Sequence, residues 1–231
     1  MKMSSRKNIT LCGSSEIVAE FFEYCINSIL FQRGIYEPED FKMVKKYNIN
    51  LLITNDDRVQ AYISEIMEQV KILFFIFIFY LFIYLLKKNM FYALIYFMKK
   101  EWIGSQSIKK LVLVILSKES REVMERWEFI IQIQKDLENE HIREKSESEI
   151  QNEIQAILRQ LTASVSFLPI LEEPCTFNVL AYTDKNAEVP QTWIDSDPKY
   201  IKFNQEQVKL RSFSTPYHSV DAMVSYRYRD Y

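Results

Sequence analysis

Apolar side chains recur at two spacings along this chain, and the alternation between them sketches a fold. Ile17, Val18, Phe21, Phe22, Cys25, Ile29 and Leu30 follow the three-and-four rhythm of one buried helix face. Ser14 and Ser15 are placed to cap that helix and Gly34 to end it. Residues 41–47 and 49–54, meeting near Asn48, read as a hairpin, since Ile49, Leu51 and Ile53 alternate. Val59, Ile63, Ile66, Met67 and Val70 return to the helical rhythm behind Asn55, Asp56 and Asp57, which suit a helix start.

Residues 111–116, LVLVIL, are apolar without a break, as a central strand covered on both faces requires. Val123, Trp127, Phe129, Ile131 and Ile133 fall on odd positions, the period of a strand with one buried face. The charged stretch 135–149 reads as a solvated loop and helix start. Behind it, Ile150, Ile154, Ile157, Leu158, Leu161 and Val165 mark a long helix with Pro169 just beyond, the candidate central helix packed on the sheet. Further strands are expected at 175–183, 208–214 and 218–228, with a proline- and charge-rich connection over 184–198. Strands on both sides of a helix in sequence indicate a single α+β domain spanning 1–231. A long polar connection ahead of terminal strands is where local unfolding costs least.

Composition narrows the chemistry. Lys and Arg number 29 against 31 Asp and Glu, so no global field points to nucleic acid or an acidic membrane surface. Cys12, Cys25 and Cys175 form no CxxC pair, and His141 and His218 lie far apart. A reduced intracellular protein with no zinc module is expected. The N-terminus, MKMSSRKNITLCG, lacks the apolar stretch of a secretory signal, so cytosol or nucleus is expected. With three glycines in all (Gly13, Gly34, Gly104), no glycine-rich phosphate cradle can be assembled. GxSxG, HExxH and HRD motifs are absent as well. The expectation is a protein that is not an enzyme, with no catalytic residue, metal site or cofactor.

Several blocks carry a resemblance: EFFEYCINSILFQRGIY (20–36), SKESREVMERWEF (117–129), EIQNEIQAILRQLTASVSFLPILEEPCTF (149–177), YTDK (182–185) and LRSFSTPYHSV (210–220). They resemble, in order and at family spacing, the HORMA-domain proteins of the spindle assembly checkpoint of the mitotic-arrest-deficient type. The resemblance implies a mainly antiparallel sheet packed on three helices, with a C-terminal safety belt over 184–231. It implies an adaptor that switches between open and closed conformers, captures a peptide beside strand 175–183 beneath the belt, and delays anaphase. The implied partners are a peptide motif of the activator of the anaphase-promoting complex, the kinetochore coiled-coil checkpoint receptor, and a second copy in an open-closed dimer. They also include the kinase-like subunit of the mitotic checkpoint complex and an AAA+ remodelling ATPase with its HORMA adaptor. Nucleus, kinetochore and cytoplasm are the implied locations, with no nucleic acid and no membrane.

By the same resemblance Arg159, Gln160 and Phe167 belong to the dimer interface. Trp102, Tyr182, Trp193, Arg211, Phe213 and His218 belong to the peptide groove and belt. Cys25 and Asn48 stand where the family usually has Gly; Asn tolerates left-handed turn geometry. Two alternatives stay open: a HORMA subunit of a translesion polymerase or DNA-repair complex, and a membrane-tethered variant using residues 72–98.

Residues 72–98 stand apart. Fifteen apolar residues, Ile72 to Leu86, run without interruption, and a second run covers Met90 to Met98. Fifteen falls short of the roughly 20 that span a bilayer as a helix. The segment uses only Ile, Leu, Phe, Tyr, Lys, Asn, Met and one Ala, nearly all with codons written in A and T. It reads as a retained intron or an inserted segment that interrupts one helix, so that Lys100, Glu101 and Trp102 would continue the apolar face if it were cut out, and it is expected to loop or protrude. Sequencing of the transcript across codons 70 to 101 is expected to show a mature message without the segment; a message that always contains it excludes the intron.

Overall fold

The computed structural model describes residues 9–86, 108–134, 145–184, 189 and 193–228. Three α-helices, α1 (Leu11–Gln32), α2 (Asp57–Leu86) and α3 (Glu147–Ala163), cover one face of an antiparallel sheet. The sheet contains β3 (Ile108–Ser117), β4 (Val123–Ile133), β5 (Cys175–Thr183), β6 (Gln205–Ser214) and β7 (His218–Arg227), in the order β5-β3-β4-β7-β6. A separate hairpin, β1 (Phe41–Lys46) and β2 (Ile49–Thr54), packs against α1. Tyr47 (φ 48°) and Asn48 (φ 57°) make its turn, both left-handed as a tight hairpin requires.

The central helix is α1, not the expected helix at 150–165. It touches both α2 and α3, and Val18, Ala19, Phe21, Phe22, Cys25, Ile26, Ile29 and Leu30 are all buried. α3 buries only the stripe Ile150, Ile154, Ile157, Leu158 and Leu161, and so lies at the side, against β6. Val165 falls beyond its end in a short 3-10 turn and is exposed. The start of α1 also differs from expectation. Thr10 is the N-cap, its hydroxyl accepting from the Gly13 N–H (3.1 Å), and Ser14 and Ser15 are buried inside the helix. Its end is as expected: the Gly34 N–H donates to the Phe31 carbonyl (3.1 Å) and the Ile35 N–H to Leu30 (3.0 Å), with Gly34 at φ 61°.

In α2 the Asp56 carboxylate accepts from the amides of Arg58 (2.8 Å) and Val59 (2.9 Å), as the acidic start suggests. The helix does not stop at residue 72. It continues to Leu86, and Leu73 and Phe74 enter the core. Both follow Val70 at the spacing of its buried face, and no Gly or Pro breaks the hydrogen-bond ladder. The first half of the supposed insertion is therefore helix rather than loop; the rest, and the expected continuation through Trp102, lie outside the described residues. Among the described residues no helix is long and apolar enough to cross a membrane.

β3 is the expected doubly covered strand: Leu111, Leu113 and Ile115 face the helices, while Val112 and Val114 face away. β4 departs from simple alternation. Leu116 pairs with Val123 but Ile115 with Glu125, so Met124 is an extra residue that flips the phase. Val123 consequently joins the outer cluster instead of sharing a face with Trp127. Glu125 turns inward, where Arg33 Nε donates to its Oε1 (2.7 Å) and Trp127 Nε1 to its Oε2 (3.0 Å). Burial pushes the Glu125 carboxyl above its ordinary range, and Arg33 opposes that shift.

The terminal hairpin β6–β7 is fastened to α1 at its turn. The Ser14 hydroxyl lies 2.5 Å from Thr215 Oγ1 and 2.6 Å from His218 Nδ1, and the Phe74 ring meets the imidazole edge-on at 5.6 Å. Phe213 seats the same hairpin against Phe21, ring centres 4.8 Å apart. Burial lowers the His218 pKa to about 4, so the ring is neutral near pH 7.

Two outcomes follow from these buried groups. Glu125→Ala, which strands the Arg33 charge, is expected to cost about 3–5 kcal/mol in urea denaturation, and Arg33→Met with Glu125→Leu much less; a single-variant loss below about 1 kcal/mol would contradict this. His218 takes up a proton more readily when unfolded, so its contribution to stability is present above about pH 6.5 and is lost as pH falls toward about 4. The loss amounts to about 3 kcal/mol, and His218→Gln should lack it; equal pH slopes for both proteins would reject this assignment.

Candidate functional site

With β6 and β7 placed beyond β4, β5 has a neighbour on one side only among the described residues. Its outward amides and carbonyls are the open edge of the sheet, and such an edge accepts another strand. The chain manages this edge locally. The Val179 N–H donates to Asn178 Oδ1 (2.8 Å), which also accepts from the Tyr62 hydroxyl (3.0 Å). Phe177 meets Tyr62 and Tyr36 edge-on, with ring centres 5.5 and 6.3 Å apart. An extended segment docking here finds main-chain partners together with an aromatic wall from α2 and the end of α1.

By Ile201 the chain that leaves β5 lies on the side of the sheet away from the helices. Asp184 pairs with Lys109 as it departs, and Trp193 packs, half-buried, against the main core. Ile201 then closes a second apolar cluster with Val112, Val114, Val123 and Leu180. At the far side the Tyr228 N–H donates to the Asn204 carbonyl (2.7 Å). Residues 198–204 thus form a belt over β5, β3 and β4.

Beneath the belt lies a ladder of cations and rings. The Arg126 guanidinium is 4.9 Å from the Tyr200 ring centre and 5.7 Å from that of Tyr182; its Nη2 donates to the Tyr182 hydroxyl (2.8 Å), and it pairs with Glu128. Tyr182 in turn donates to the Pro198 carbonyl (3.1 Å). Lys110 sits 4.5 Å from the Tyr182 ring centre and bonds Glu128 (2.6 Å); burial, then the Arg126 charge, hold its ammonium below the ordinary range. This cover explains why Val123 through Phe129 are all buried, where one face was expected to be wet.

Of the anticipated groove and belt residues, Tyr182 lies beneath the belt, and Trp193 precedes the crossing and packs against the main core on the helix side. Arg211 is exposed on β6, and Phe213 and His218 are core positions of the hairpin, four and three strands away from β5. Trp102 lies outside the described residues. Arg159 is exposed on α3, the half-buried Gln160 accepts from the Arg211 N–H (2.8 Å), and Phe167 is exposed in the turn after α3, as are Val165 and Ile170. Sequence reasoning missed Ser14, Tyr62, Arg126, Asn178, Tyr200 and Ile201. The one available signal was charge inside an apolar strand, Glu125, Arg126 and Glu128. Among the described residues no group of three His, Cys, Asp or Glu is arranged to hold a metal.

The HORMA domain family matches residues 14–218. The mitotic spindle assembly checkpoint protein MAD2A of Dictyostelium discoideum is 45% identical over 97% of this chain and 96% of its own. The mitotic spindle checkpoint component mad2 of Schizosaccharomyces pombe is 46% identical over 96% of both. The human MAD2A is 42% identical over 98% of this chain and 97% of its own. Among solved structures, a chain of the crystal structure of the mitotic checkpoint complex aligns with a TM-score of 0.71 at 45% identity, covering 94% of this chain and 99% of that one. Caenorhabditis elegans HTP-2 bound to HTP-3 closure motif 1 shares the fold, with a TM-score of 0.63 at 13% identity over 95% and 88%. By sequence and by architecture alike, this chain belongs to the HORMA domain family, among the mitotic spindle checkpoint proteins.

Proposed function

We propose that this chain is a spindle assembly checkpoint adaptor in its closed arrangement, taking an extended peptide along β5 beneath the belt and thereby delaying anaphase. The observation that carries this reading is the pairing of an open β5 edge with a belt already laid over the sheet. Main-chain hydrogen bonds along β5 supply affinity, the wall of Tyr36, Tyr62 and Phe177 supplies choice, and the belt slows release. No covalent chemistry is required.

The peptide would come from the activator of the anaphase-promoting complex or from the kinetochore coiled-coil receptor. Association with kinetochores during division follows from that role, with nucleus and cytoplasm as the surrounding compartments. Arg159 and Phe167, exposed near the end of α3, would meet a second, open copy. The kinase-like subunit of the mitotic checkpoint complex would join the loaded protein, and an AAA+ ATPase with its own HORMA adaptor would unload it. The three relatives cited at 42–46% identity are all named as checkpoint proteins, which favours this reading over a translesion or DNA-repair adaptor.

Calorimetry with a synthetic peptide of the activator tests the assignment. Deleting residues 222–231 should remove tight binding, weakening it at least tenfold. Tyr200→Ala, which leaves every strand in place, should speed peptide release severalfold. Undiminished affinity in the first variant together with unchanged release in the second would reject the belt.

A further inference from the structure

The far edge of the sheet belongs to β6, which among the described residues pairs only with β7, and its register breaks between Lys209 and Ser212. Two side chains of α3 reach β6 at and beyond the break. Gln160 Oε1 accepts from the Arg211 N–H (2.8 Å), and Glu153 Oε2 accepts from the Ser214 N–H (3.0 Å). Lys145 reinforces the second contact, pairing with Glu153 and donating to Ser214 Oγ (2.9 Å).

The spacing fits. Glu153 and Gln160 are two helical turns apart, about 10.5 Å along the axis, while the three-residue step from Arg211 to Ser214 in a strand covers about 10 Å. One face of α3 therefore offers acceptors at the separation of these two amides, the odd three-residue step being accommodated by the register shift between Lys209 and Ser212, and stands in for a missing ladder neighbour.

We propose that Glu153 and Gln160 are positioning residues, a clasp on α3 that holds β6 in place and couples that helix to the location of the terminal hairpin. When the hairpin leaves β4, Arg211 and Ser214 leave with it, Gln160 loses its donor and Glu153 keeps only Lys145 of its contacts here. Gln160 adjoins Arg159, so the same helix that would meet a second copy registers whether the tail is seated. This last consequence rests on the reading of the tail as a movable belt; the clasp itself does not.

Hydrogen exchange of the full chain without any peptide tests the clasp. In Gln160→Ala the Arg211 amide should exchange at least tenfold faster, and in Glu153→Ala the Ser214 amide likewise, while residues 111–115 of β3 keep their protection. Gln160→Glu retains an acceptor oxygen and should restore slow exchange at Arg211. Unchanged exchange at both amides overturns the proposal, and so does an equal loss throughout β3, which would mean the side chains serve the whole fold. Because no peptide enters the measurement, a failed clasp alongside intact peptide capture sinks this inference alone.

Discussion

A sheet of five antiparallel strands has two edges, and main-chain groups along an edge must find partners in protein or in water. Here the two edges are treated in opposite ways. β6 is closed by side chains of α3 at Arg211 and Ser214. Among the described residues, β5 is covered by its own Asn178 and by a tyrosine from α2, side-chain contacts rather than a strand. The β6 edge is thus covered by a neighbouring helix, and the β5 edge by side chains lying along it. The placement of the terminal hairpin decides which strand lies at which edge, and Ser14, Thr215 and His218, remote from β5, help fix that placement.

The belt is held by a mixture of forces suited to release. Ile201 contributes burial worth about 1.5–3 kcal/mol relative to exposure. The stacking of Arg126 between Tyr200 and Tyr182 adds about 0.5–2 kcal/mol per cation–ring contact. Tyr200 remains largely exposed, and the crossing runs through left-handed backbone at Lys199 and Asn204. A purely apolar seam of the same length would bind more firmly and come free less readily. Under the belt Arg126 and Lys110 keep Glu128 and Tyr182 as partners, while the Arg126 Nε is buried without one.

Much of this architecture was legible because the apolar rhythm is local. The buried stripe of α3, the unbroken run in β3 and the hairpin turn at Asn48 each follow from neighbouring residues. What escaped depends on contacts distant in sequence. Ser14 reads as a cap because nothing nearby shows that Thr215 will arrive beside it. Val123 reads as inward because a single extra residue, Met124, leaves no mark in composition. Arg126 and Glu128 read as solvent-facing because the cover comes from Tyr200 and Ile201, more than seventy positions later. The fold could be inferred from patterns, and the family blocks supplied the idea of a belt, but the residues that fasten it emerged only in three dimensions.

The β4–β7 ladder pairs nine consecutive residues, from Glu125 opposite Tyr226 to Ile133 opposite His218. Moving the hairpin elsewhere means breaking all of it, together with the aromatic seat of Phe213, before any new pairing compensates. That is a high activation barrier, so two arrangements of comparable free energy would interconvert slowly. Such a molecule has hysteresis: its shape at a given moment records the last event that rearranged it, and a timely reset calls for an outside source of work.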